Sequence, residues 1–575
     1  MSKFTTLIKR NTKIKDAVQL MNSCEQNNYI AGIAVVIDDE SRVVGVVTDG
    51  DIRQGICNGL EIDHEIEKVI NFSPFTLNFR LSKQQMYQRI VRQIKLHSFH
   101  SRRYNEVILV DDEQKFSDLI LMSDIIDNQI DGKLIGVYGL GFVGLTLAST
   151  LAESGLIVVG IDPNPSVIDR LQKGQPHFFE NGLEQLLSSL AESNPIEFTT
   201  NYSDSDIDIH IVCVGTPIGA DSQPDLKYIR EVSASIAQRL RKDNLIIFRS
   251  TLPVGTMRKV VMPILAQSGL TIGEDFFLAF APERTVEGQA LQELRSLPQI
   301  VGGYDRASVD LTAKLFSKLT DKIVEVESLE AAEMVKLINN TYRDLVFSFA
   351  NEVANICDGL NINAFKLIEA SNERYPRNPI PRPSPGVGGI CLSKDPFLYT
   401  STAVAGGYKP ILGEASRKIN ANGHVYVYDR IKKYCDVVDK DIKQIKIFLI
   451  GMAFKGLPET SDIRESMSLK LVEILPVVEN IYVKDFVVSD RDIEATGCHA
   501  VVNIIAGFYS ADVVLIMNNH NLNSRFDLAK AIALMNPAPL FFDGWNMFDQ
   551  REVELYKNVY YATMGYMTAR TKEDI

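Results

Sequence analysis

No two of the seven cysteines are separated by the two residues that a zinc knuckle or redox pair needs, and their number is odd. This points away from a structural metal and from a disulfide framework, so free thiols in a reducing, cytosolic setting are expected. Apolar runs are short. None reaches the roughly 18 residues that cross a bilayer, and the opening MSKFTTLIKRNTK lacks the apolar core of a signal peptide, so no membrane association is expected. Basic runs are missing too. With 60 Lys and Arg against 73 Asp and Glu, a net charge of -13, the chain lacks the electrostatic footprint of a nucleic-acid binder. An acidic chain can still hold an anionic small molecule where arginines and helix N-termini gather.

What the chain does have is length and alternation. Its 575 residues exceed one hydrophobic core and divide into four regions. Residues 1–128 hold two weakly similar units of strand–turn–strand–helix: IAVVIDD, VVGVVTD and DIRQGICNGL, then EVILVDD and SDLILMSDIID, closed by the polar NQIDGK. Residues 132–326 alternate apolar strands with helical stretches, which predicts a parallel sheet covered on both faces. Residues 327–435 are helical. SLEAAEMVKLINNTYRDLVFSFANEVANICDGL keeps apolar residues at three- and four-residue intervals, predicting a long helix that packs on another, from a second subunit. NERYPRNPIPRPSPGVGG, with five prolines, is loop. Residues 440–575 return to the α/β pattern, with IKIFLIGMAF and ADVVLIMNN as buried strands.

Two stretches carry chemistry. GLGFVG, comprising Gly139, Gly141, Phe142, Val143 and Gly144, directly follows a strand and opens a helix. The first glycine permits a tight turn, the second lets backbone approach a pyrophosphate, and the third lets helix and strand pack closely. Asp162 ends the next strand, 23 residues after Gly139. A carboxylate there accepts from ribose hydroxyls and repels a 2′-phosphate, so NAD is favoured over NADP. Cys391 lies in GVGGICLSKDP, after glycines and before Lys394 and Asp395. A nearby cation favours the thiolate, although a buried cysteine beside a turn gives the same string. Lys336 and Asn340, four apart, share one helix face and would place a cation and an amide together at an oxyanion; a solvated lysine and a surface amide fit the spacing equally.

From Lys133 onward the chain resembles the UDP-glucose/GDP-mannose dehydrogenase family. The motifs run in order: GLGFVG, VCVGTP (212–217), RSTLPVGT (249–256), APERTVEG (281–288), EMVKLINNTYRD (333–344), GVGGICLSKDP and GMAFKGLPETSDIRES (451–466). The resemblance implies a four-electron, NAD-dependent oxidation of a sugar C6 alcohol to the uronate, through a thiohemiacetal and then a thioester on Cys391. It makes Lys336 and Asn340 oxyanion and substrate ligands and Asp395 a proton handler near the thiol. It puts Thr251 and Glu283 near the reacting carbon and its water, and Glu287 near substrate and cofactor. Thr216, Thr251, Lys394 and Arg464 would touch NAD; Gly388 and Lys455 would touch substrate. Arg377, with Arg374 and Arg382 on the proline loop, suits a pyrophosphate, or else only solubility.

The segment PERTVEGQALQELRSLPQIVGG and the loop YPRNPIPRPSPGVGG resemble the branch acting on UDP-N-acetylhexosamines, while Lys394 resembles the UDP-glucose branch. The expected substrate is UDP-N-acetylglucosamine or its mannosamine epimer, with UDP-glucose the runner-up. VVGVVTDGDIRQGI (43–56) resembles a CBS motif, in which Thr48 and Asp51 would meet a nucleotide phosphate and ribose. The second copy keeps Asp124 but has Leu121 and Asp118 in place of Thr48 and Gly45, so one adenine-nucleotide ligand per pair is expected, with a folded spacer or dimerisation module as the alternative. The expectation is thus an α/β homo-oligomer of two Rossmann-like parallel-sheet domains joined by a long central helix and preceded by an α+β CBS pair. In order these are the CBS pair (1–128), the NAD domain (132–326), the central helical domain (327–435) and the C-terminal sugar-nucleotide domain (440–575). The competing class is a nucleotide-sensing regulator that turns nothing over.

Overall fold

The computed structural model describes residues 6–22, 32–81, 86, 106–121, 130, 132–193, 196–201, 207–219, 223–360, 362–377 and 379–568. They form two compact units, Met1–Lys133 and Leu134–Ile575.

In the N-terminal unit, β1 (Thr6–Ile8) runs parallel to β2 (Ile33–Ile37), which pairs antiparallel with β3 (Val43–Thr48). Strands β4 (Thr76–Asn78), β5 (Glu106–Val110) and β6 (Phe116–Leu121) repeat that topology. The register shifts at the same place in each copy, between Val36 and Ile37 and between Leu109 and Val110. It therefore sets Leu121 at the position of Thr48 and Asp118 at that of Gly45. Ile33, Val35 and Val46 pack against Ile108, Val110 and Leu119, joining the copies. Thr48 caps helix α1 (Asp49–Cys57): its hydroxyl accepts the Asp51 N–H at 3.3 Å, and the Asp51 carboxylate accepts the Thr48 N–H at 2.9 Å. This reciprocal box explains both residues as a helix start. Asp124 lies outside the described residues.

The larger unit begins with an eight-stranded sheet. Its strands are β7 (Leu134–Tyr138), β8 (Ile157–Ile161), β9 (Glu197–Thr199), β10 (Ile209–Val212), β11 (Leu245–Phe248), β12 (Phe277–Phe280), β13 (Gln299–Gly303) and β14 (Ile323–Glu325). Their order is β14-β13-β12-β11-β10-β7-β8-β9, parallel except for β12–β13. IHIV, LIIF and FLAF are buried throughout, as strands covered on both faces must be. Strand order reverses between β7 and β10, the place where an open α/β sheet leaves a crevice for a ligand. Helix α2 (Phe142–Glu153) follows β7. A second, seven-stranded sheet has β15 (Ile447–Ile450) as its third strand and is parallel but for its last pair.

Between the sheets lie α3 (Leu329–Leu360), α4 (Ile390–Ala405) and α5 (Leu412–Ala421). Helix α3 has the predicted length, and its apolar residues divide between its two sides: Leu329, Ala332, Leu337, Ala350, Ala354 and Cys357 are buried. Its buried face carries Glu333, Lys336, Thr341, Asp344, Ser348 and Asn351. Ile338, Tyr342, Phe349, Ile356 and Leu360 stand exposed. Polar residues lie inward where partners meet them: Asp395 on α4, Arg417 and Asn420 on α5, and the Gly255 and Met257 N–H groups. No helix among the described residues is long and apolar enough to cross a membrane.

Candidate active site

Four motif segments leave the C-terminal ends of adjacent parallel strands: GLGFVG after β7, VGTP after β10, RSTLPVGT after β11 and APERTVEG after β12. A Cβ on Gly144 would come within 1.8 Å of the Gly139 carbonyl oxygen, so helix and strand meet at backbone contact. A Cβ on Gly141 would meet nothing within 4 Å, and Gly141 is the N-cap of α2. The turn is closed on the protein side and open at the helix N-terminus, with Phe142 and Val143 as the helix's first residues. The Asp162 carboxylate accepts the Leu140 N–H at 2.9 Å and the Asn164 N–H at 3.0 Å, which fixes it beside the turn. These groups fit a dinucleotide: open N–H donors for phosphate and a held carboxylate for ribose.

Cys391 is the second residue of α4, whose N-cap is Gly389 at φ 82°. A Cβ on Gly389 would lie 2.6 Å from the Phe454 ring, and one on Gly388 would lie 2.3 Å from the Glu465 carbonyl oxygen. The Cys391 loop is thus pressed against the C-terminal domain by glycines that leave no room for a side chain. Cys391 itself is exposed to a cleft, but the protein crowded round it pushes its thiol above the ordinary 9.0. Lys336 is the strongest opposing charge, followed by Lys394 farther down; Asp395 and Glu287 push the other way. The expectation of a thiolate favoured by neighbouring cations is therefore met in sign and overruled in sum: desolvation outweighs both lysines.

Around the thiol, the Asn340 amide donates to the buried Asp395 carboxylate at 2.6 Å. Lys394 Nζ lies 3.2 Å from Asp395 and donates to the Thr216 hydroxyl at 3.1 Å. Thr216 in turn donates to the Thr251 carbonyl at 2.6 Å. Lys336 is buried, and its charge acts on Cys391 and Glu283. Asn340 and Lys336 thus reach the thiol's surroundings from α3 and are not surface groups.

Glu283 is held by the buried Arg249 and by the N–H groups of Arg284 and Thr285 at 2.6 and 2.7 Å. Burial works against its charge, yet Arg249 and the Thr285 N–H keep the carboxyl below its ordinary value. Lys455 Nζ donates to the Glu287 carbonyl oxygen at 2.7 Å, and the Thr460 hydroxyl to the Glu287 carboxylate at 3.2 Å. Burial, reinforced by Asp462, pushes the Glu287 carboxyl up. Arg464 is paired with Asp462 at 2.7 Å, and its charge reaches Glu287 and Cys391. Arg377 is not drawn in. It is exposed, and its recorded partner is the Tyr375 ring at 5.8 Å. Among the described residues, no cluster of three His, Cys, Asp or Glu is placed to hold a metal.

Residues 133–320 match the NAD binding domain of the UDP-glucose/GDP-mannose dehydrogenase family, residues 330–422 its central domain and residues 448–550 its UDP binding domain. The chain belongs to this family. It is an NAD-dependent nucleotide-sugar dehydrogenase, and residues 1–58 add a CBS domain. It is 35% identical over 346 residues to the UDP-N-acetyl-D-mannosamine dehydrogenase of Campylobacter jejuni, covering 58% of this chain and 82% of that one. It is 30% identical over 412 residues to the NDP-N-acetyl-D-galactosaminuronic acid dehydrogenase of Ralstonia nicotianae, covering 69% and 93%. The structure of the UDP-D-ManNAc dehydrogenase from Pyrococcus horikoshii superposes with a TM-score of 0.67 at 28% identity, over 75% of this chain and 99% of that one.

Several residues that shape the dehydrogenase's site carry no motif signal of their own. Arg417 on α5 donates to the Leu392 carbonyl at 2.6 Å and the Val387 carbonyl at 3.2 Å, gripping the chain on both sides of Cys391. Its counter-ion is the buried Asp344 of α3 at 3.0 Å. Glu180 accepts the N–H groups of Gly288 and Ala290 at 2.7 and 2.8 Å and so anchors the Glu287 loop. His177 is close enough for Asp162 and Arg464 to act on it; burial lowers its pKa. Arg417→Met leaves Asp344 buried without its cation. The expected loss is about 3–5 kcal/mol in denaturant unfolding, and the double variant Arg417→Met/Asp344→Leu should recover much of it. An unchanged midpoint for the single variant contradicts the pairing.

Proposed function

We propose that the enzyme oxidises the C6 alcohol of UDP-N-acetylmannosamine to the uronate, with Cys391 carrying the sugar as an acyl group between the two oxidations. The observation that carries this reading is the meeting of Cys391, Lys336 and the Asn340–Asp395 pair beside the strand ends of an NAD-type sheet. The sugar is argued from the names of the relatives and from the PER segment and proline loop; UDP-N-acetylglucosamine shares the acetamido group and UDP-glucose lacks it.

The Gly139–Gly144 turn and Asp162 would hold NAD, which when bound would supply the hydride acceptor for each of the two oxidations. Lys336 and Asn340 steady the oxygen on C6 as its proton is lost. The Cys391 sulfur then bonds to the aldehyde carbon as the C=O π bond opens, and the thiol proton ends on the C6 oxygen, which keeps the sugar in place as a thiohemiacetal. A raised thiol pKa needs help at this step; Lys336 supplies charge, and the N-terminus of α4 supplies its dipole. The second oxidation leaves a thioester. Water adds to its carbonyl, the C–S bond breaks, the sulfur regains a proton and the uronate departs. Asp395, buried between Asn340 and Lys394, is the carboxylate placed for that proton traffic. Glu283, locked by Arg249 and two amides, orients the water and Thr251 more readily than it moves protons. Thr216, Lys394 and Arg464 would flank the cofactor, while Lys455, Gly388 and Glu287 would face the sugar nucleotide. Cys391→Ser should retain its fold by circular dichroism and form no uronate from UDP-N-acetylmannosamine; undiminished uronate would rule out the acyl carrier, and turnover confined to UDP-glucose would rule out the sugar.

For the CBS pair we infer one adenine-nucleotide-type ligand at Thr48 and Asp51, since Leu121 leaves the second copy without the hydroxyl. Calorimetry with AMP and ATP should show one site per chain that Thr48→Ala weakens; no heat with either leaves only the helix cap as the role of these residues. The exposed stripe on α3 supports a homodimer through the central domain, because an apolar row of that length seeks a like surface. Phe349→Glu should move the sedimentation coefficient from dimer to monomer, and a wild-type chain already monomeric at micromolar concentration contradicts the pairing.

A further inference from the structure

Three segments must keep register for the chemistry: the loop bearing Thr251, helix α3 bearing Lys336 and Asn340, and helix α4 bearing Cys391. Two of the three joints run through α4. Lys394 and Thr216 tie α4 to the Thr251 carbonyl, and Asn340 ties α3 to Asp395 on α4. The third joint is Glu333, one helical turn before Lys336 and 1% exposed. Its Oε2 accepts the Gly255 N–H at 2.6 Å and its Oε1 accepts the Met257 N–H at 2.8 Å. Between strand and anchor, the Val254 N–H donates to the Thr402 hydroxyl on α4 at 3.0 Å. The loop after Thr251 is therefore pinned to both helices, and Glu333 closes the ring.

We propose that Glu333 is a positioning residue for the dehydrogenation, holding the Thr251 loop to the Lys336 helix through both carboxylate oxygens, and that losing either bond slows turnover. This rests on the Cys391-centred reading only for where the reaction takes place. The groups facing Glu333 are Arg258 and Glu330, which pair with each other at 2.6 Å. Lys259 lies over Gly255, and Tyr304 faces Arg258. Burial pushes the Glu333 carboxyl up to about 7, against its two N–H donors. Above that pH both oxygens accept. Below it one oxygen carries the proton and is a poor acceptor, so turnover should fall as pH drops through about 7.

Glu333→Gln is neutral, of nearly equal size, and copies the protonated state at every pH. At about pH 8.5 its kcat for NADH release should be lower by about tenfold or more, with Tm and KM for the UDP-sugar near wild type. At about pH 6 the two proteins should converge as wild type becomes protonated too. A kcat ratio constant across that range, or equal to one at the upper end, overturns the proposal. Hydrogen exchange on the wild-type enzyme tests it without a variant: Gly255 and Met257 amides should lose protection, relative to Val254, as pH falls through about 7, and unchanged relative protection overturns it. The acyl reading fails separately, in the Cys391→Ser uronate assay, since NADH release in the first oxidation is scored here whatever follows.

Discussion

A buried polar group must find a partner, and helix α3 turns that requirement into an active site. Its inward face offers Glu333, Asn340, Asp344 and Asn351. Their partners are the amides after Thr251, the carboxylate of Asp395, the guanidinium of Arg417 and the Ser384 N–H at 2.8 Å. The bonds that these polar groups make therefore set the position of the Cys391 loop, the Thr251 loop and Asp395 at once. A purely apolar interface of the same length would stabilise the domain without fixing any of these directions.

The same economy governs the cleft between the sheets. Glycines at 388 and 389 let the Cys391 loop touch Glu465 and Phe454, and Gly288 brings the Glu287 loop to within 2.3 Å of the Glu459 carbonyl for a notional Cβ. Lys455 and Thr460 then bond to Glu287 from the C-terminal domain. Crowding raises the Cys391 thiol and the Glu287 carboxyl while Arg249 keeps Glu283 ionised. Glu283 and Glu287, four residues apart on one loop, are thereby held with opposite tendencies to carry charge.

The cofactor turn was legible because GLGFVG and Asp162 encode backbone requirements that few other arrangements share. The existence of α3 was legible from its period. Which polar residues it turns inward was not, because their partners on α4, α5 and the Thr251 loop are distant in sequence. Arg377 looked like a phosphate ligand because it sits near Cys391 along the chain, yet the loop carries it to the surface beside Tyr375. Arg249 and Glu333 open two of the quoted motifs, but their burial and partners were not legible, and Arg417 lies in no motif: a charge in a helix or at a strand end looks the same whether solvated or buried. For Glu333 a faint signal existed: it precedes Lys336 by three residues and so shares its face.

The acyl carrier is the claim on which the chemistry turns. Acid quenching of a single turnover, followed by mass spectrometry of the peptide containing Cys391, observes it directly. The account predicts a transient mass increase on that peptide, equal to the bound sugar nucleotide as thiohemiacetal or thioester, rising and decaying before free uronate is complete. Uronate formed at full rate with the Cys391 peptide unmodified at every quench time would contradict it.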